Sequence, residues 1–151
     1  MSNWTHVAAV FRVDDIAFVD KKDRPDLDKA FGKECVLRGT DDENFAEFSK
    51  EWKKMVEHPD EYLPHGSEGS LQKSVWENPD PTAVAHWTVT VWGDLRDHDS
   101  IDEIEKWFRG CCDRLKDWLR QACCEIDNDL NGGKAISYRL GEETESRGTK
   151  E

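Results

Sequence analysis

Hydrophobic and polar residues alternate along several stretches of this 151-residue chain, and a period of two is typical of β-strands. The first such stretch places Val7, Ala9, Phe11 and Val13 on one side of a strand. The second clear case has Trp87, Val89 and Val91 alternating with threonines and Trp92. The sequence predicts five strands, at Thr5–Val13, Ser70–Trp76, Ala85–Trp92, Gln121–Ile126 and Lys134–Leu140.

Two other stretches repeat their hydrophobic residues every three or four positions, which predicts amphipathic helices. Each follows a capping box, in which a hydroxyl and a carboxylate satisfy free backbone amides at the helix start. The first box is Thr40–Glu43, and its helix should end near Glu57, before His58-Pro59. The second box is Ser100–Glu103. The expected buried stripe of the first helix is Phe45, Phe48, Trp52 and Met55. That of the second is Ile104, Trp107 or Phe108, Cys111, Leu115 and Trp118 or Leu119.

The region between the first strand and the first box gives weaker signals. Residues 16–19 could extend the sheet, and Pro25–Phe31 could form a short helix with proline at its first position. Gly110 interrupts the second amphipathic helix and should weaken it by about 1 kcal/mol unless close packing there requires a missing side chain.

The order of these elements, β–α–β–β–α–β with one more hairpin strand, predicts an α+β domain of the ferredoxin-like (split βαβ) type. Two helices would cover one face of an antiparallel sheet, and the other face, carrying His86, Thr88, Thr90 and Trp92, would be open or buried against a second copy. Residues 1–140 should form this single domain, and the acidic, apolar-poor tail 141–151 should be disordered.

The charge is the first constraint on function. With 33 acidic and 21 basic residues the formal net charge is -12, which disfavours direct binding to nucleic acid or to anionic membranes. The excess of acid can simply keep the protein dissolved, or it can form a carboxylate array that occupies a basic groove. The 7 tryptophans cannot all fit inside a domain of this size, so some should be exposed as interface anchors; Trp52 and either Trp107 or Phe108 should be core.

The cysteines and the chain start indicate a compartment. Five cysteines in two adjacent pairs and one single make a poor disulfide framework, so all are expected to be reduced. No hydrophobic run is long enough to cross a membrane, and no secretory signal is visible after Met1. These features predict a cytoplasmic protein.

The densest group of chemically active side chains is Gly93–Ser100, between the third predicted strand and the second amphipathic helix. Asp and His residues there could bind a divalent metal or a partner, or the segment could be a solvated connection with an internal Asp–Arg pair. We expect a partner-binding surface and no metal, formed by Trp92, Asp94, Arg96, Asp97, Asp99, Asp102 and Glu103.

Motifs for catalysis or cofactor binding are missing from the sequence. It has no G-x-S-x-G elbow, no glycine-rich phosphate loop and no zinc spacing of cysteines or histidines. His58-Pro-Asp60-Glu61 and His65-Gly-Ser-Glu68 could supply metal ligands, but no third ligand follows at a diagnostic spacing. We therefore expect no catalytic residue and no cofactor.

The stretch from residue 68 to 128 is similar to small proteins of phages and prophages of Gram-positive bacteria. The similarity rests on the strand that runs into G-D-L-R-D, the W-F helix and the following R-Q-A. It implies a compact, acidic, non-catalytic accessory protein in a bacterial host cell, and some proteins of this kind block host defence nucleases, as anti-CRISPR proteins do. It assigns no role to any residue.

The leading hypothesis is a non-enzymatic inhibitor that binds a protein partner, such as a host nuclease or another nucleic-acid-binding protein. One alternative is an oligomer, associated through the open sheet face, that traps a nucleotide-like molecule between aromatic groups and basic residues such as Arg96 and Arg120. Another is a metal-dependent enzyme.

Overall fold

The computed structural model describes residues 2–14, 25–34, 45–79, 85–98, 100–139 and 145–148. These residues form an α+β protein with one antiparallel sheet. In chain order its elements are β1 (Trp4–Asp14), α1 (Leu27–Phe31), α2 (Phe45–Glu57), a 3-10 turn (Pro59–Glu61), β2 (Gln72–Glu77), β3 (Ala85–Arg96), α3 (Ile101–Arg114), β4 (Leu119–Asn128), β5 (Gly132–Arg139) and β6 (Glu145–Gly148).

The sheet has the order β2-β3-β1-β4-β5-β6, and every pair of neighbouring strands is antiparallel. β1 is central, because it pairs along nearly its whole length with β3 on one side and β4 on the other. The five predicted strands are confirmed. β6 lies within the tail from Gly141, so the disorder predicted for that tail is wrong for Glu145–Gly148.

The core lies on the face of the sheet to which the odd-numbered residues of β1 point, as their alternation predicts. Phe11 is at its centre and is fully buried. Its ring lies 4.8 Å from that of Phe31 in α1, 5.3 Å from that of Phe108 in α3 and 6.4 Å from that of Trp107 (centroid distances). Two helices therefore contribute aromatic side chains to one packing site on the central strand.

The first helix of this core is α1, which the sequence predicted with a different start. The helix begins at Leu27 instead of Pro25, because the carboxylate of Asp26 caps it and accepts hydrogen bonds from the amides of Asp28 (3.1 Å) and Lys29 (3.3 Å). Trp107 Nε1 and Arg114 Nε in α3 donate to backbone carbonyls of α1 at 2.9 and 2.8 Å, which ties the two helices together.

The stripe predicted for α2 is only partly buried. The helix ends at Glu57 as expected, and Met55 is buried, but Trp52 is 40% exposed, so its prediction as a core residue is wrong. Among the described elements, α2 lies mainly beside the 3-10 turn that follows it. Its predicted capping box and the side chains of Phe45 and Phe48 lie outside the described residues, as does the predicted extension at 16–19.

The second capping box is confirmed in part. Ser100 Oγ accepts a hydrogen bond from the Glu103 amide at 3.1 Å, and Ile104, Phe108 and Cys111 are buried. The helix ends at Arg114, earlier than the hydrophobic spacing suggests. The missing side chain at Gly110 accommodates Arg114, because a Cβ there would lie only 2.8 Å from Nη1 of that guanidinium.

The described cysteines are free, as predicted. Cys111, Cys112 and Cys124 are buried, whereas Cys123 points to the other face of β4 and is exposed. Burial raises the pKa of Cys112 and of Cys124 to about 12, and that of Cys111 further still. Cys35 lies outside the described residues.

These environments predict selective alkylation. In the folded protein at pH 8, iodoacetamide should modify Cys123 at least about tenfold faster than the three buried thiols, because only thiolates react and burial both hides the sulfurs and keeps them protonated. Peptide mapping by mass spectrometry after timed quenching measures this, with the urea-unfolded chain as the control in which all these rates converge. Equal rates in the folded protein would contradict the burial of the three thiols.

Candidate functional site: an acidic end of the sheet

The start of β1, the end of β3 and the turn after β4 meet at one end of the sheet. This follows from the register, in which His6 lies opposite Asp94 of β3 and Asp127 of β4. The sequence placed Asp94 and Arg96 in a loop, and that is wrong. Pairing with β1 extends β3 to Arg96, with Leu95 buried on the core side and Asp94 on the opposite face.

His6 lies between two carboxylates. Its Nδ1 is 2.7 Å from Asp94 Oδ1 and its Nε2 is 2.9 Å from Asp129 Oδ1. A neutral imidazole has one N–H, so both contacts are hydrogen bonds donated by the ring only when it is protonated. The bonds to Asp94 and Asp129 raise the pKa of His6 above its ordinary value of 6.5.

Arg96 links the end of β3 to the loop at 65–70. Its Nη1 is 2.5 Å from Glu68 Oε1, its Nε donates to Ser2 Oγ at 2.9 Å and lies 3.8 Å from Asp97 Oδ2. Ser67 Oγ donates to Asp97 Oδ2 at 2.9 Å. The predicted Asp–Arg pair is therefore present, and the structure adds Glu68 to it.

The loop at 65–70 packs directly on the backbone of β3. The Ser67 amide donates to the Arg96 carbonyl at 2.8 Å, and the Arg96 amide donates to the Glu68 carbonyl at 3.0 Å. Gly69 has φ +77°, and a Cβ at this position would lie 2.1 Å from the Asp94 carbonyl oxygen. Glycine is needed here both for its backbone conformation and for the close approach.

Buried polar side chains hold β1, β4 and the turn after β4 together at the same end of the sheet. Asn128 Nδ2 donates to Thr5 Oγ1 at 2.9 Å, and the Thr5 hydroxyl donates to the His98 carbonyl. The Asn128 side-chain oxygen accepts from the amides of Leu130 and Asn131 at 3.0 and 2.9 Å, which shapes the turn that carries Asp129.

We define the acidic end as the carboxylates of Glu68, Asp94, Asp97 and Asp129 together with His6 and Arg96. The four carboxylate side chains are 61%, 65%, 53% and 45% exposed, in that order. Two cations are shared among four anions, so the cluster carries two negative charges when His6 is protonated and three when it is neutral. These exposed carboxylates could bind a cationic group without a change in their positions.

The other predicted site residues are Trp92, Asp99, Asp102 and Glu103. Trp92 precedes Asp94 by two residues on the same face of β3 and is 54% exposed. Asp102 and Glu103 are exposed in the first turn of α3, where Glu103 Oε2 lies 3.4 Å from His98 Nε2. Asp99 lies outside the described residues. The predicted binding surface did not include His6, Glu68 and Asp129. Strand register brings His6 and Asp129 to Asp94, and loop packing brings Glu68, which the sequence offered only as a metal ligand, to Arg96.

Among the described residues, no group of three or more His, Cys, Asp or Glu side chains could hold a metal ion. The described helices include none that is long and apolar enough to cross a membrane. Comparisons with protein-family models, with curated proteins and with solved structures gave no match. The phage resemblance therefore stays a prediction.

The packing of the 65–70 loop predicts that Gly69→Ala destabilises the fold by about 2 kcal/mol or more, because the new methyl group meets backbone that cannot move aside. Gly110→Ala is the matched control. Its methyl group meets a side chain, the Arg114 guanidinium, which can shift where backbone cannot, and alanine gains helix propensity; the change should therefore be smaller than that of Gly69→Ala, although the shift weakens the Arg114 hydrogen bond to α1. Urea denaturation measures both, and equal effects would contradict the close approach at Gly69.

His6 predicts a pH-dependent contribution to stability. A raised folded-state pKa means that the stabilisation is fully present below pH 6.5 and disappears as pH rises through the folded-state pKa. Wild type should therefore exceed His6→Gln in free energy of unfolding at pH 5.5, by about 1 kcal/mol or less because the groups are half exposed, and not at pH 9. Urea denaturation at both pH values checks this, and a difference that grows with pH would contradict it.

Proposed function

We propose that this protein is a non-enzymatic binding protein whose acidic end engages a positively charged groove on a protein partner. The observation that carries the proposal is the convergence of four exposed carboxylates on one end of the sheet, held by only two cations. A groove that normally binds phosphates presents the complementary charge. A phage-encoded inhibitor of a host nuclease is one form that this function would take.

Preorganisation supports the proposal. Glu68 and Asp97 are held by Arg96, and Asp94 and Asp129 by His6, so the negative charges are fixed in position before a partner arrives. Less side-chain entropy is lost on binding to such an array than to free surface carboxylates. The exposed indole of Trp92 beside Asp94 adds an apolar anchor of the type found at interface hot spots.

We also propose that β1 to β4 form a ferredoxin-like unit. Its support is the order β2-β3-β1-β4 with antiparallel neighbours and helices in both crossovers. In such a unit the end of β3 and the start of β1 lie side by side, which is where the acidic end is found.

The proposal predicts charge-dependent capture of basic proteins. The immobilised full-length chain, incubated with a bacterial lysate, should retain nucleic-acid-binding proteins that duplex DNA displaces. Asp94→Asn/Asp97→Asn should reduce their retention at least about tenfold, because two carboxylates at the centre of the contact lose their charge. Asparagine tolerates the positive φ of Asp97 (57°), so the fold should be kept.

The matched control is Asp113→Asn/Asp117→Asn, which changes net charge equally at the far end of α3. It should retain the same proteins as wild type, as quantified by mass spectrometry. Equal retention by both double variants, or captured proteins that DNA does not displace, would contradict a role of the acidic end in occupying a basic groove.

A further inference from the structure

The sheet face opposite the core carries exposed hydrophobic side chains. We call it the open face, formed by the even-numbered residues of β1 to β3 and their register partners on β4 and β5. Val10 (37% exposed), Trp76 (57%) and Trp92 (54%) all point to it. The described helices with core contacts, α1 and α3, pack on the other face. Ala8, Cys123 and Ala135 are also exposed on this face.

The open face is arranged in cross-strand rows. The middle row is uncharged and consists of Ser74, Thr90, Val10, Cys123 and Ser137. The row on the acidic-end side consists of Gln72, Trp92, Ala8, Glu125 and Ala135. The row on the other side consists of Trp76, Thr88, Arg12, Gln121 and Arg139. Glu125 thus lies on one side of an uncharged middle row, and Arg12 and Arg139 lie on the other.

We propose that the open face binds a second copy of this chain, about a twofold axis that runs along the middle row. Such an axis places each strand against the same strand of the second copy, running in the opposite direction. The Trp92 row of one copy therefore faces the Thr88 row of the other. Val10 then meets Val10 of the second copy. Glu125 faces Gln121 of the second copy and thus lies between its Arg12 and Arg139.

Three features of the face fit a symmetric partner. A twofold interface must be self-complementary, and this distribution of charge is complementary to itself only when the strands run antiparallel. Trp92 faces Thr88 beside Arg12 of the second copy, where an indole can stack on a guanidinium. The side chains of the middle row are small, so the two faces can approach along this row to the usual sheet spacing of about 10 Å.

This dimer leaves part of the acidic end accessible. Glu68 and Asp97 lie beyond the end of β3, whereas Asp94 and His6 are in the next row and face the start of β3 and the end of β1 of the second copy. The inference does not rest on the proposed function, because its residues Val10, Arg12 and Glu125 are outside the acidic end. Self-association covers the apolar surface and presents two acidic ends on opposite sides of the assembly.

Sedimentation equilibrium of the full-length chain over a concentration series tests the dimer. Wild type should dimerise, and Arg12→Glu should weaken dimerisation at least tenfold, because the new carboxylate lies on the strand next to the one that faces Glu125 of the second copy and replaces one of the two arginines beside it. Arg12→Glu/Glu125→Arg should dimerise at least about threefold more tightly than Arg12→Glu, since one complementary pair is restored while the repulsion with Arg139 keeps the affinity below that of wild type. Val10→Asp, which places two carboxylates against each other on the axis, should give a monomer.

Val75→Ser and Trp52→Ser are the matched controls. Both remove an exposed hydrophobic side chain away from the open face, at the core-side face of β2 and on α2, and both should dimerise as wild type does. The inference is overturned if wild type stays monomeric up to about 1 mM, if Val10→Asp still dimerises, or if Val75→Ser alone gives a monomer, which would indicate pairing at the β2 edge. Lysate capture by Arg12→Glu tests the acidic end separately, since that variant keeps all its carboxylates.

Discussion

The antiparallel pairing of β1 with both β3 and β4 is the constraint on which the rest of the structure depends. It buries Phe11 at the middle of the sheet, where Phe31 and Phe108 pack on it from two helices. It also brings the beginning of β1 to the ends of two strands that are far away in sequence. One set of backbone hydrogen bonds therefore determines both the core and the acidic end.

The acidic end shows how a strongly anionic surface is held in place. Each of its two cations lies between two carboxylates, so repulsion within the cluster is reduced but the net charge stays negative. Arg96 keeps its charge at every physiological pH, whereas His6 can lose its proton. The cluster is consequently more anionic in alkaline than in acidic solution, and its affinity for a basic partner should be higher at alkaline pH.

The two proposed surfaces differ in their physical basis. Recognition at the acidic end is electrostatic and depends on a few fixed charges, whereas association through the open face depends on apolar contact oriented by charge. A net charge of -12 opposes any self-association, so the complementary rows of the open face have to overcome a general repulsion. That repulsion favours the reversed strand direction over arrangements that place the acidic ends together.

The sequence by itself determined five of the six described strands, the two longer helices, the buried face of β1 and the state of the described cysteines, because alternation, helical spacing and capping are local properties of the chain. It also singled out Asp94, Arg96 and Asp97 as charged neighbours. Only the tertiary structure decided that Asp94 is on a strand, that Phe31 of α1 is in the core while Trp52 of α2 is exposed, and that His6, Glu68 and Asp129 join the site. The reason is physical: strand register and loop packing are set by contacts between distant residues, and no local pattern encodes which carboxylate a histidine 88 positions away will meet.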